Sequence, residues 1–110
     1  MVLVATATPD MLFPSTACLT QAKIGATNAF AYDISAGCSG FIYGLVVAQQ
    51  FIAAGTVETA LVIGAETLSR ISDPHDIDSM IYSDGAGVAL VEATDRKVGI
   101  ISHVTRSDTL

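Results

Sequence analysis

The sequence predicts an α/β fold, a layered sheet with crossover helices. Three observations lead there. Short apolar, β-branched runs alternate with longer stretches of helical spacing. Glycine follows each helical stretch, where a helix C-terminus takes it. The third strand-like run lacks period-two alternation, the pattern of a strand covered on both faces. The order reads β-α-β-α-β-β-β, a mixed sheet with right-handed crossovers between its parallel members.

Each element has a local reason. "MVLVATAT" is a β-branched run stopped by Pro9-Asp10 and reads as a buried strand. In "PSTACLTQAKIGA", Ser15 or Thr16 caps a helix that continues through Ile24 and stops at Gly25. "NAFAYDIS" is a second short strand. From Cys38 to Ala54 the chain reads as a helix, apolar on nearly every side and therefore buried, with Gly55 ending it. "TALVIGAE" is a third strand, and "TLSRISDPHDIDSM" a polar loop broken by Pro74. "GVALVEA" and "VGIISHVT" read as two last strands joined by a hairpin-like "TDRK". There is no internal repeat and no low-complexity segment.

Composition excludes several classes. With 51% hydrophobic residues and 15% charged, the 110-residue chain is unusually apolar for its size. Much of its surface is then expected to meet a partner or further chain. A net charge of -6 with five Lys and Arg leaves no basic footprint for nucleic acid. No apolar run reaches the roughly 18 residues of a membrane span, and the start lacks the basic region of a signal peptide. Two cysteines without metal spacing suit a reducing, cytoplasmic setting. Cys18 reads as a small core residue.

The chemistry gathers at "YDISAGCSGFIYG", residues 32–44. Cys38 lies between Gly37 and Gly40, where a strand-like run meets a helix-like one. A thiolate, not a thiol, attacks thioesters and carbonyls. A helix N-terminus offers unpaired N–H groups and a partial positive charge that favour the anion. Those N–H groups also suit a developing oxyanion. Flanking glycines permit unusual dihedrals and close approach of substrate. This is the logic of a nucleophile elbow with Cys in place of Ser. A buried structural Cys at a tight turn fits the same residues, and so does a phosphate cradle. "GCSGFIYG", however, lacks the spacing of the dinucleotide fingerprint.

Four stretches in order, "TATPDMLFPSTACLTQAKIGA", "DISAGCSGFIYGLVVAQQFIAAG", "ALVIGAETLSR" and "SDGAGVALVEA", resemble the β-ketoacyl-acyl carrier protein synthase III family over nearly the whole chain. The resemblance implies a thiolase-like fold. Residues 1–110 would be a partial N-terminal thiolase-like domain, an incomplete first half with a mixed sheet and a buried, nucleophile-bearing helix. The first βαβ portion and the whole C-terminal half would be absent, and Met1 would match an internal position.

The implied activity is a decarboxylative Claisen condensation that initiates fatty-acid synthesis. Cys38 would take an acyl group from acyl-coenzyme A, and malonyl-acyl carrier protein would supply the carbanion. The implied partners are acyl carrier protein, acyl-CoA and a second copy in a homodimer, with no resident cofactor or metal. Phe13, in "MLFPST", would reach across the dimer to line the acyl pocket. From the residues alone, Phe13 also reads as a staple packing at a helix start. The family's His and Asn partners belong to its second half. His75 and His103 match neither, and read as an exposed loop residue and an edge residue of the last strand.

Three features depart from the family pattern or bear on it. Ser83 stands before Asp84-Gly85-Ala86-Gly87 where members usually carry Gly, which predicts a local backbone change in a turn whose glycines allow tight passage. Ile77 replaces an Arg that packs on the coenzyme A adenine, and Ile cannot make that stack. An acidic carrier needs a basic docking face, whereas Lys23, Arg70, Arg96, Lys97 and Arg106 are scattered along the chain. Rival readings are a condensing enzyme of secondary metabolism with another primer donor, and a non-catalytic thiolase-like subunit. A Ser39 hydrolase lacks the Gly-x-Ser-x-Gly frame.

Overall fold

The computed structural model describes residues 1–108. Strand β1 (Val2–Ala5) is the hub. Val2, Leu3 and Val4 are almost wholly enclosed. Burying a Val or Leu side chain contributes about 1.5–3 kcal/mol, so these three residues are a large part of the core. Helix α1 (Thr16–Ile24) returns the chain to β2 (Ala31–Ile34), parallel to β1 with Val4 opposite Asp33. A 3₁₀ turn (Gly37–Ser39) leads into α2 (Gly40–Ala53). Strand β3 (Thr59–Thr67) then lies parallel to β1 on its other side. Two further 3₁₀ turns (Leu68–Arg70 and Ile77–Ile81) precede β4 (Asp84–Glu92), antiparallel to β3. The order across the sheet is β2-β1-β3-β4.

Alternation along β1 and β3 assigns one helix to each face. Leu3, Ala60 and Val62 pack with Phe41, Leu45 and Phe51 of α2. Val2, Val4, Leu61 and Ile63 pack with Ala17 of α1. Helix α2 meets the sheet through a stripe of small residues, Gly40, Gly44 and Ala48, all buried. They recur every four residues and so share one face. The fit is tight: a β-carbon at Gly44 would stand 2.9 Å from Cγ1 of Val62.

Helix α1 matches its expected bounds. Ser15 accepts a hydrogen bond from the Cys18 N–H, and Gly25 ends the helix at φ 71°. Gly55, also at φ 71°, ends α2, with the Gly55 and Thr56 N–H groups donating to the Ile52 and Phe51 carbonyls.

Several expectations are corrected. Residues 98–105 form no strand, and His103 is an exposed coil residue. No neighbouring strand offers them a ladder. The Tyr43 hydroxyl and Gln49 amide of α2 donate to the Arg106 and Ile100 carbonyls instead. Helix α2, expected to be buried and to bear the nucleophile, is not buried all round, since only its glycine-alanine stripe is enclosed and Ile42 is exposed. It begins at Gly40, so Cys38 sits on the preceding turn. Strand β3 is enclosed at Ala60 and Val62, half-buried beyond them and exposed at Thr59. Asp84-Gly85-Ala86-Gly87 is not a turn: it opens β4, pairing with Thr67 to Gly64.

Candidate active site

The site is built at the carboxyl ends of the parallel strands, where open α/β sheets bind their ligands. After β2, Gly37 takes φ 51°, a left-handed conformation open to glycine at little cost. That single reversal turns the backbone into the 3₁₀ turn. The Ser39 and Gly40 N–H groups donate to the Ala36 and Gly37 carbonyls. These bonds leave the Cys38 N–H outside the turn's own pairing. The Ser39 hydroxyl also donates to the Ala36 carbonyl, 3.0 Å away, so it is folded back against the chain. Cys38 itself is exposed.

Two glycines set how close the corner comes to the sheet. A β-carbon at Gly40 would stand 3.0 Å from Cβ of Ala5, so the start of α2 lies on the end of β1. Gly64 of β3 makes the matching space for Phe41. Cys38 opens into a depression of about 240 Å³ that it shares with Ala5, Phe41, Glu66, Gly85 and Gly87. Gly85 and Gly87 line it without a side chain, with only the small Ala86 between them. A thiol on an open corner, above bare backbone and beside a helix N-terminus, can attack an electrophilic carbonyl brought in from that side.

Around this corner the loop from β1 to α1 is held at several points. The Asp33 carboxylate on β2 accepts from the Thr16 N–H at 2.8 Å and the Ala17 N–H at 2.7 Å, satisfying the first turn of α1. Glu66, at the end of β3, accepts from the Ala7 N–H at 2.8 Å and the Thr8 hydroxyl at 2.6 Å. The Arg70 guanidinium pairs with Asp10 at 3.2 Å. Asp84 accepts from the Ser69 hydroxyl and N–H, and these bonds hold its carboxyl below the usual carboxylate range.

Phe13 is not brought to Cys38. It lies at the tip of the same loop, 89% exposed, next to Leu12 at 97%. A staple role at the helix start is therefore excluded. Ile77 is also exposed, on the second 3₁₀ turn of the polar loop, away from the Cys38 depression. His75 and His103 are exposed and line no wall of that depression. Cys18 is half-buried, its thiol directed at the Ala31 carbonyl. Sequence reasoning missed Asp33, Thr6, Thr8 and Glu66. Only the polar residues closing the apolar runs, "TAT" after β1 and "ET" at the end of β3, mark the last three.

A family model described as 3-oxoacyl-[acyl-carrier-protein (ACP)] synthase III matches residues 32–109. The chain is 53% identical over 109 residues to the beta-ketoacyl-[acyl-carrier-protein] synthase III of Caldanaerobacter subterraneus subsp. tengcongensis, covering 98% of this chain and 33% of that protein. It is 53% identical over 112 residues to the enzyme of the same name from Natranaerobius thermophilus, covering 98% and 34%. The crystal structure of 3-oxoacyl-[acyl-carrier-protein] synthase III from Aquifex aeolicus VF5 shares this fold with a TM-score of 0.84 at 47% identity, over 87% of this chain and 32% of that one. The chain thus spans about a third of the length of the curated relatives it matches.

Proposed function

The chain belongs to the 3-oxoacyl-[acyl-carrier-protein] synthase III family, and on that premise we propose that it carries the nucleophile of a condensing acyltransferase that initiates fatty-acid synthesis. The observation behind this reading is the placement of Cys38, exposed on a glycine-flanked corner at a helix N-terminus. Cys38 Sγ attacks the thioester carbonyl of an acyl-CoA primer. The bond from that carbonyl to coenzyme A sulfur breaks, and coenzyme A leaves as the thiol with the Cys38 proton. Malonyl-acyl carrier protein then loses its free carboxylate as carbon dioxide. The electron pair of the broken C–C bond becomes a carbanion, which attacks the Cys38 thioester carbonyl. The C–Sγ bond breaks with its electron pair on Sγ, Cys38 leaves as the thiolate and regains a proton from water, and the product remains on the carrier.

Decarboxylation itself supplies the carbanion, so the scheme calls for no resident cofactor. The His and Asn that assist it in the family come from the half that this chain does not span, residues 1–110 being part of the N-terminal half. Phe13 would line the acyl pocket of a second copy in a homodimer, a reading that its exposure at the loop tip supports. Two free cysteines fit a cytoplasmic setting. Among the described residues no helix is long and apolar enough to cross a membrane.

The test is acyl transfer in the full-length protein. Incubation with acetyl-CoA should add one acetyl group to the peptide bearing Cys38, read by mass spectrometry. Cys38→Ser should abolish it. Equal acylation of that variant refutes the assignment.

A further inference from the structure

One carboxylate ties the loop after β1 to the wall of the Cys38 depression. Glu66 Oε1 accepts from the Ala7 N–H at 2.8 Å. Its Oε2 accepts from the Thr8 hydroxyl at 2.6 Å and the Thr6 hydroxyl at 3.3 Å. Thr8 Oγ1 in turn accepts from the Thr67 N–H at 2.8 Å, and the Thr8 N–H donates to Thr6 Oγ1. Thr6 and Thr8 are buried. Hydrogen bonds to an ionised carboxylate are the strong kind, so this is a stiff joint. Glu66 also lines two adjoining depressions, the one of about 240 Å³ holding Cys38 and one of about 480 Å³ reaching Asp10. Beyond Asp10, itself paired with Arg70, the loop projects Leu12 and Phe13 outward.

We propose that Glu66 is a positioning residue that sets primer selection: it fixes the wall beside Cys38 and the root of the loop that presents Phe13. This rests on Cys38 being the acylated nucleophile and Phe13 a pocket residue. Ala7 and Thr8, which Glu66 holds, are the root of the loop whose tip is Phe13, and a change of about one methylene in the space of a pocket alters discrimination among acyl chains. Because the carboxylate acts by holding the β1–α1 loop to the end of β3, its loss alters relative primer preference and not only overall rate.

The experiment uses full-length enzyme, straight-chain acyl-CoA primers from two to eight carbons, and acylation of Cys38 by mass spectrometry. In Glu66→Ala the ratio of kcat/KM for long against short primers should shift by about tenfold. Glu66→Gln keeps an acceptor for the Ala7 N–H and should stay within about threefold of wild type. Thr8→Val, nearly isosteric, should shift the ratio in the same direction as Glu66→Ala, and it decides the matter if the alanine variant does not fold. A uniform fall for every primer, or an unchanged profile in folded variants, overturns the positioning role while wild-type acylation stands. Wild type left unacylated at Cys38 overturns the underlying reading, and this inference with it.

Discussion

Gly64 of β3 faces the ring of Phe41 so closely that a β-carbon at residue 64 would stand 3.2 Å from both Cβ and Cδ2 of Phe41. Phe41 is three residues after Cys38, so the absence of one methyl group on β3 sets where the Cys38 corner rests on the sheet. Phe41 Cβ is close to the backbone and cannot swing away as a side-chain tip could.

Gly64→Val should therefore cost stability and misplace Cys38 together. Overpacking of this kind costs about 1–3 kcal/mol, and a displaced nucleophile loses up to about a hundredfold in rate. Melting temperature and Cys38 acylation rate, measured on the same full-length sample, should both fall. A stable variant acylated at the wild-type rate would show that the contact is slack.

Asp33 should act as a helix cap. Its two oxygens take the Thr16 and Ala17 N–H groups. Asp33→Ala should destabilise by about 1–2 kcal/mol, and Asp33→Asn by less, since one acceptor survives. Thermal unfolding followed by circular dichroism reads both. Equal losses for the two substitutions would point to charge rather than capping.

The Ser69–Asp84 link should depend on pH in a defined direction. Two hydrogen bonds from Ser69, the hydroxyl's first, hold the Asp84 carboxyl below its ordinary value of 3.8. Ionised Asp84 is thus favoured in the folded chain. Its contribution is present above the unfolded-state value and is lost as pH falls through the lower folded one. A carboxyl-carbon NMR titration should place Asp84 low in wild type and nearer the ordinary value in Ser69→Ala. An identical midpoint in both would dismiss the link.

Phe13→Ala should widen the range of primers without unfolding the protein. Because Phe13 is exposed and the loop is anchored at Asp10 and Ser15, truncation leaves no cavity within this subunit. Competition between acetyl-CoA and longer acyl-CoA primers in full-length enzyme measures it. A primer profile equal to wild type would remove Phe13 from the pocket.

What the sequence determined by itself is local. Ser15 and Gly25 bound α1 because a cap and a left-handed stop act within a few residues. Gly37 marks the corner of Cys38 because only the backbone at that residue needs the positive φ. The apolar run of β1 announces its own burial, and the motifs around Cys38 mark the family. The tertiary structure decided the rest, because those features join residues far apart in the chain. Asp33 meets the start of α1 across 17 positions, and Glu66 meets Ala7 across 59. Asp84 to Gly87 became strand because β3 offered them a register. Residues 98–105, equally β-like in composition, remained coil because no strand lay beside them. The helix after Cys38 is apolar nearly all round, yet it is enclosed only along Gly40, Gly44 and Ala48. Apolarity marks a helix for burial, but which face is covered depends on the sheet that reaches it.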